Sequence, residues 1–359
     1  MQLLSKFSIK KFRIYILIKL RSLKKVYAKP KEKRITSVDM LRGIAALSVC
    51  MYHFTNGNIH YFSNGYWLKE IGSIGWAGVE IFFVISGFII PFSLYQSSYQ
   101  LKKFKNFLFK RMGRIEPPYF FSILLLISLN YLSTLSPYFK GAPFSINYFN
   151  LALHFAYLND FFNQPWLSPV FWTLAIEFQF YLLIGLIFPL LNHQKIWVFI
   201  SVIVLLCGCS LLIKSSIFIF HYISFFVLGI LIFKRKTKVY VNKYIWILEP
   251  LLLIIIYLQF SLIPFIAAAL AWSILVFHEN WRNKWILWLG TISYSLYLTH
   301  ISFGGKIINI SMNFFKTDFS RSFVLLFALI FTFFFSYLFY KFIEVPAIKF
   351  SHSLMKNKK

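Results

Sequence analysis

Acidic residues and cysteines are scarce in this chain. Of 359 residues, 11 are Asp or Glu against 38 Lys or Arg, which gives a formal net charge of +27. The three cysteines, Cys50, Cys207 and Cys209, lie in apolar runs without the close Cys or Cys/His spacing of a metal site. We therefore expect neither a disulfide framework nor a bound metal. For Cys50, packing as a small buried side chain is favoured over acyl carriage.

No linker or repeat is evident in the sequence, and we do not expect residues 1–34 to be a signal peptide. No Gly/Ser-rich or Pro-rich stretch separates a second domain, and no fixed-period repeat is evident. Residues 1–34 are too basic and too interrupted for the apolar core of a signal peptide. We expect a basic cytoplasmic tail there, either amphipathic on anionic lipid or solvated. The predicted division is 1–34 tail, 35–350 membrane domain and 351–359 cytoplasmic C-terminal tail.

Hydrophobic residues are abundant instead. They make up 58% of the chain, and 21% of the chain is aromatic, which excludes a water-soluble globular domain. The positive charge is compatible in principle with nucleic-acid binding. The Lys and Arg residues, however, cluster in short polar stretches between long apolar runs, as in loops held on the cytoplasmic side. We therefore predict membrane lipids as partners and no nucleic acid.

Ten apolar runs approach the length of about 20 residues that crosses a bilayer. They cover residues 37–55, 73–95, 118–135, 171–191, 196–213, 216–233, 244–259, 261–278, 285–303 and 321–343. The stretch 147–163 is short and polar, and we assign it to an outer loop. The inner segments then hold 31 of the 38 Lys and Arg residues, so both termini are predicted to be cytoplasmic. The predicted fold is all-α integral membrane, with about ten transmembrane helices in one bundle.

Titratable side chains within these runs need an explanation, since each costs about 2.5 kcal/mol or more at membrane depth. Arg42 and His53 are eleven residues apart, which places them on one face of a helix and about 16 Å apart along it. Glu80, Glu177 and His300 fall at about the depth of His53, so we predict a shared polar cavity. The alternative for His53 is a side chain that reaches the headgroups or bonds within the bundle.

A second cluster is predicted at the opposite end of the bundle. Arg111 and Arg114 form an R-x-x-R element level with Arg42, and on a helix both guanidiniums can face one anion. Anchoring by positive charge is the simpler explanation of Arg111 and Arg114, but it explains Arg42 poorly. An arginine cluster joined by about 16 Å of helix to a histidine and carboxylate cavity suits a coenzyme A thioester, with its phosphates on the arginines.

Six segments of the chain resemble the motifs of the membrane-bound acyltransferase 3 family, in the family order. Residues 42–53 resemble its R-x10-H element, and residues 78–88 resemble G-V-[DE]-x-F-F-V-x-S-G-F. Two further similarities are R-x-x-R-I-x-P at 111–117 and L-W-S-L-x-V-E-E-Q-F-Y at 171–181. Segments 290–300 and 340–346 complete the set. Two departures are Thr173 in place of Ser and Phe178 in place of the second acid.

This resemblance implies transfer of an acyl group, most simply acetyl, to a hydroxyl of an extracytoplasmic glycan such as lipopolysaccharide O-antigen. Longer or dicarboxylic acyl groups and other acceptors stay open. Acetyl-CoA would be a cosubstrate and not a tightly bound cofactor, and the location would be the bacterial inner membrane. The chain ends soon after Pro346, so we expect the membrane domain to complete transfer without the extracytoplasmic extension of some members.

The resemblance also assigns roles to residues. His53 is the expected base, or is transiently acylated, because His is the side chain best matched to deprotonating a sugar hydroxyl. Glu177 is expected to orient it, with Glu80 or His300 as alternatives. The expected acceptor-binding residues are Glu80, Ser86 and His300, and the expected CoA-binding residues are Arg42, Arg111 and Arg114.

A transporter or flippase of a glycan or lipid intermediate fits the same composition, with buried His and Glu as a proton relay. No pair of interrupted helices and no inverted repeat supports it in the sequence. Dependence on acyl-CoA separates the two functions, because a transporter needs none.

Overall fold

A computed structural model describes residues 35–58, 60–137, 144–237 and 242–353, apart from the side chains of residues 242 and 243. The predicted tail 1–34 lies outside these residues. Within the described ranges the chain is helical and contains no strand. The α-helices are α1 Thr36–Thr55, α2 Trp67–Ser73, α3 Gly78–Gln96, α4 Phe104–Thr134, α5 Tyr148–His154, α6 Trp172–Leu191, α7 Ile196–Leu212, α8 Ile219–Thr237, α9 Asn242–Phe260, α10 Leu262–Phe277, α11 Lys284–His300, α12 Lys306–Ser311, α13 Asp318–Phe339 and α14 Val345–Ser353.

Each predicted apolar run overlaps one of these helices. Of the ten predicted spans, however, only four helical stretches of the described residues are long and apolar enough to cross a membrane. They are Trp67–Gln96, Leu101–Thr134, Trp172–Leu191 and Asp318–Ser353. Three more apolar helices, in α7, α9 and α10, are shorter. Helix α5 has seven residues, about 10 Å, and is therefore too short to cross a bilayer.

Lipid is the natural solvent for the outer faces of these helices. In the Leu101–Thr134 and Asp318–Ser353 stretches, only 28% of the most apolar window is buried inside the protein. Phe319, Phe323 and Phe327 on α13 expose more than half of their surface. A contiguous aromatic face of this kind is not stable in water. The exposed faces therefore agree with the prediction of a multi-pass membrane protein.

Helices α1 and α11 run parallel with their backbones in direct contact. A Cβ atom on Gly43 would lie 2.7 Å from the backbone nitrogen of Gly290, and one on Gly290 would lie 2.0 Å from the carbonyl oxygen of Asp39. Small residues allow this close approach, as is common between membrane helices. His53 and His300 each lie ten residues beyond their glycine. The glycine crossing therefore sets the register at which the two histidines meet.

Helices α3, α6 and α8 are parallel to one another and are joined by aromatic rings. Trp172 contacts Tyr222 near the start of α6 and α8, with ring centroids 5.5 Å apart. At the start of α3, Phe83 contacts the same tyrosine ring at 5.4 Å. Helix α3 runs antiparallel to α1, because Gly75 packs on Ser48 and Gly78 on Ala45. The first turns of α3, α6 and α8 therefore surround the last turn of α1.

The segment between α4 and α6 is tied together by His154, which is fully buried. Its Nε2 accepts a hydrogen bond from the Leu167 backbone N–H at 3.1 Å, and its Nδ1 lies 2.9 Å from the Asn150 carbonyl oxygen. Burial lowers the pKa of the His154 imidazole, against the opposing effect of the Asn150 carbonyl. The neutral imidazole therefore holds the two halves of this segment together.

Candidate active site

Two cavities meet inside the bundle. The arginine cavity, of about 160 Å³, is lined by Arg42, Arg111 and Arg114 together with Ser86, Glu177 and Tyr181. The histidine cavity, of about 380 Å³, is lined by His53 and Glu80 together with His221 and aromatic side chains. Val79 and Tyr297 line both cavities. Helix α1 therefore contributes Arg42 to one cavity and His53 to the other.

The arginine cavity holds three cations without a direct carboxylate partner. Arg111 and Arg114 lie on the continuous helix α4, so the predicted helical spacing of the pair is present. Among the described residues, none of the three arginines forms an ion pair. The guanidinium of Arg111 lies 5.9 Å from the Tyr181 ring centroid. Because half-buried cations that lie together repel one another unless an anion pairs with them, the cavity is suited to an anionic ligand.

Glu177 lies in the arginine cavity and not beside His53. Its Oε1 accepts hydrogen bonds from the Ser86 hydroxyl at 3.1 Å and from the Tyr181 hydroxyl at 2.5 Å. This placement differs from the sequence-based prediction of an orienting contact with His53, and it moves Ser86 out of the predicted acceptor cavity. The reason is that Glu177 lies five residues inside α6, about 7.5 Å from its first residue.

A second carboxylate, Glu344, interacts with the arginines and was not predicted from the sequence. Glu344 closes a π-helical turn, Tyr340–Glu344, between α13 and α14, and it accepts a hydrogen bond from the Ser295 hydroxyl at 2.6 Å. It is buried and interacts electrostatically with Arg42 and Arg114. The signal was present in the sequence, since Glu344 is the acid of the motif at 340–346. It was missed because it lies just beyond the apolar run.

His53 is paired with His300. The Nδ1 atom of His53 lies 2.9 Å from the Val49 carbonyl oxygen and 3.3 Å from Nε2 of His300. Nδ1 of His300 lies 3.0 Å from the Leu296 carbonyl oxygen. A carbonyl oxygen only accepts, so each Nδ1 carries the proton when the rings are neutral. The basic atom of His53 is then Nε2, and Nε2 of His300 is a second acceptor for the Nδ1 proton of His53.

Glu80 and His221 present unused polar atoms at the histidine cavity. Glu80 is 6% exposed, and among the described residues neither its Oε2 nor Nδ1 of His221 has a hydrogen-bond partner. Glu80 was predicted to be a site residue, whereas His221 was not. His221 could have been found from the sequence, because it is a titratable side chain within the apolar run 216–233. The same criterion selected His53.

Tyr297 separates the two cavities. Its hydroxyl is 2.7 Å from the hydroxyl of Thr173 and donates to the Val170 carbonyl oxygen at 3.3 Å. Its ring packs edge-on against Phe82 at 5.6 Å. Thr173 stands where the resembling motif has Ser, and it retains the hydroxyl that makes this bond. A ligand that extends from one cavity into the other therefore passes the Tyr297 ring.

The other departure from the motifs is Phe178, which packs against an aromatic ring in place of the second acid. Phe178 contacts the ring of Tyr157 at 5.5 Å, and the Tyr157 hydroxyl donates to Glu116 at 3.0 Å. Glu116, from α4, therefore lies one aromatic ring away from this position. Cys50 is free and fully buried in a cluster with Ala46 and Phe54, in agreement with a packing role.

Comparison with known proteins identifies the family. The model of the acyltransferase 3 family, described as an acyltransferase domain, matches residues 35–341. The chain is 29% identical over 181 residues to O-acetyltransferase OatA of Staphylococcus aureus (strain NCTC 8325 / PS 47), which covers 48% of this chain and 27% of OatA. It is 31% identical over 160 residues to "Putative acetyltransferase ORF330" of Acidianus two-tailed virus, covering 44% of this chain and 42% of that protein. The chain thus spans less than half of each of these relatives, and no solved structure matches it. Because the family model covers most of its length, the chain belongs to the acyltransferase 3 family.

Proposed function

We propose that this protein is a membrane O-acyltransferase that moves an acyl group, most simply acetyl, from acyl-CoA to a hydroxyl of a glycan across the membrane, such as lipopolysaccharide O-antigen. The observation that carries the proposal is the pair of adjoining cavities, with Arg42 in one and His53 in the other. Membership of the acyltransferase 3 family and the name of OatA support acyl transfer to oxygen.

The proposed orientation has both termini in the cytoplasm, because the inner segments then hold most of the Lys and Arg residues. The arginine cavity, near the N-terminal end of α1, then opens to the cytoplasm, where acyl-CoA is made. The histidine cavity faces the outer side of the bacterial inner membrane, where surface glycans are assembled. This orientation supplies each substrate from its own compartment.

In this proposal the arginine cavity binds the phosphates of acyl-CoA. Guanidiniums bind phosphate oxygens in a bidentate manner and stay charged in a poorly hydrated site. Glu177 and Glu344 interact electrostatically with Arg42 and limit the excess of positive charge before the donor binds. The pantetheine arm then passes the Tyr297 ring and brings the thioester to His53.

The proposed reaction uses Nε2 of His53 as the base. The acceptor hydroxyl gives its proton to Nε2 while its oxygen forms a bond to the thioester carbonyl carbon. The carbon–sulfur bond then breaks, and the CoA sulfur takes the proton from His53 as it leaves. His300 accepts the Nδ1 proton of His53 more strongly once His53 is charged, and so stabilises the imidazolium as the third group of a triad would.

The experiment that tests this proposal supplies labelled acetyl-CoA to membranes and measures label in extracted surface glycan. We expect label with the wild-type protein and at least a 100-fold lower rate with His53→Ala, because the base is lost. The matched control is His352→Ala, since His352 is exposed on α14. Expression levels of the three proteins are matched by immunoblot.

The outcomes of this experiment distinguish acyl transfer from the alternative of a transporter. Label that persists in His53→Ala would refute the placement of the base. Absence of label with wild-type protein, native glycan and a series of acetyl, longer and dicarboxylic acyl donors would refute acyl transfer.

A further inference from the structure

The walls of the histidine cavity combine aromatic rings with two polar atoms that have no partner. Trp76, Trp172 and Tyr222 line the cavity, and the last two rings are in contact. Glu80 and His221 also line the cavity, and Oε2 of Glu80 and Nδ1 of His221 are buried without a hydrogen bond among the described residues. Beside His53, the cavity therefore combines aromatic faces with two unpaired polar atoms.

A buried polar atom without a hydrogen bond has lost its contact with water and gained no replacement, so native proteins leave few of them. Two at one cavity indicate that a ligand supplies the missing partners. The carboxylate oxygen of an ionised Glu80 accepts only, and Nδ1 of His221 accepts or donates according to its tautomer. A ligand with at least one hydroxyl donor and a second hydroxyl nearby satisfies both atoms.

The aromatic lining adds a second requirement. The face of an indole or phenol ring is negative and attracts the weakly positive C–H groups of a flat ligand face. A saturated sugar ring carries such C–H groups on its faces and hydroxyls around its edge. A lipid tail would pack on the rings but leave Glu80 and His221 unpaired.

We propose that Glu80 and His221 form an acceptor-specificity pair, which hydrogen-bonds two hydroxyls of a sugar ring beside the hydroxyl that His53 activates. Trp172 and Trp76 supply the apolar surface for the ring. This inference rests on the proposed function and adds His221, from the first turn of α8, to the acceptor site. Glu80 and His221 act on binding of the acceptor and leave the donor end of the site unchanged.

The test uses purified protein in lipid nanodiscs, labelled acetyl-CoA and surface polysaccharide that has been de-O-acetylated with mild base. The variants are Glu80→Gln and His221→Phe. We expect each to raise the KM for polysaccharide about tenfold, as expected for loss of one such hydrogen bond, with the KM for acetyl-CoA within twofold of wild type. His221→Gln retains a donor and an acceptor and is expected to recover part of the loss.

The controls are Glu70→Gln and His278→Phe, which make the same substitutions at exposed positions. A wild-type KM for polysaccharide in both Glu80→Gln and His221→Phe would overturn the inference. A parallel increase in the KM for acetyl-CoA would also overturn it, since that indicates a general disturbance of the bundle.

Equilibrium binding of the polysaccharide without acetyl-CoA, read from tryptophan fluorescence, gives a second readout. Binding that depends on Glu80 and His221, in a protein that transfers no label, would support the acceptor site and refute the proposed function. Transfer at wild-type rates and affinities in both variants would support the proposed function and refute the acceptor site.

Discussion

The glycine crossing between α1 and α11 predicts a large effect from one added methyl group. In Gly290→Ala the new Cβ would lie 2.0 Å from the Asp39 carbonyl oxygen, whereas ordinary contact begins at 3.4 Å. The helices must therefore separate by about 1.4 Å at this point. The contacting atoms are backbone, so no side-chain rotation relieves the overlap.

This separation bears directly on the histidine pair ten residues away. Nδ1 of His53 and Nε2 of His300 are 3.3 Å apart, already close to the limit of a hydrogen bond. A displacement of about 1 Å at a catalytic group costs roughly 100-fold in rate, or about 2.7 kcal/mol. We therefore expect kcat for acyl transfer to fall about 100-fold in Gly290→Ala. Gly43→Ala, whose closest contacts are 2.7 Å, should lose less.

The assay measures label transfer in nanodiscs, with size-exclusion chromatography to check that each variant is folded. Gly208→Ala is the matched control, because a Cβ on Gly208 in α7 meets nothing within 4 Å. Alanine favours a helix over glycine by about 1 kcal/mol, so intrinsic propensity acts against the predicted loss. A folded Gly290→Ala protein with kcat within threefold of wild type would refute the reasoning.

Three further predictions concern the partition, the donor end and the connecting segment. Tyr297→Ala should open the two cavities to each other and raise acetyl-CoA hydrolysis without acceptor, measured as CoA release. Tyr297→Phe should keep the ring between the cavities, and equal CoA release in both variants would contradict this role. Arg111→Ala should raise the KM for acetyl-CoA about tenfold but leave that for acetyl-pantetheine, which lacks the phosphates, unchanged; an equal change for both donors would argue against phosphate binding. The lowered pKa of His154 means that the folded state favours the neutral ring. The contribution of His154 to stability is therefore full above the unfolded pKa of about 6.5, and it is lost as pH falls from there towards the folded pKa. The protection factor of the Leu167 amide, which compares its exchange rate with the intrinsic rate at the same pH, should fall between pH 7.5 and pH 5.5, and the same pH response in His154→Gln would contradict the assignment.

Much of the fold follows from hydropathy. Every predicted apolar run overlaps a helix, since backbone groups at membrane depth have to be satisfied within the segment. The largest error in a boundary concerns α4, which begins at Phe104 although the predicted run begins at 118. Its first half carries Arg111 and Arg114 and is therefore not apolar. Hydropathy does not detect this half of the helix because it is polar where it lines the arginine cavity.

The sequence predicted several residues of the candidate site but few of the contacts between them. The stripe from Arg42 to His53 lies on the single helix α1 and needed only the helical period. His300 was correctly placed at the depth of His53, but its contact with that ring was one of three alternatives. Glu177 was assigned to the wrong cavity, and His221 and Glu344 were not selected. Each of these depends on which helices are neighbours.

The sequence by itself therefore determined the membrane class, the positions of the helices and the face of α1 that carries Arg42 and His53. These features depend on local chain geometry and on the cost of polar groups in lipid, both of which act within one segment. Only the tertiary structure decided that His300 meets His53 and that Glu177 joins the arginines. The rotation and contact of one helix against another depend on close packing, and here on Gly43 and Gly290, which a linear sequence does not order in space.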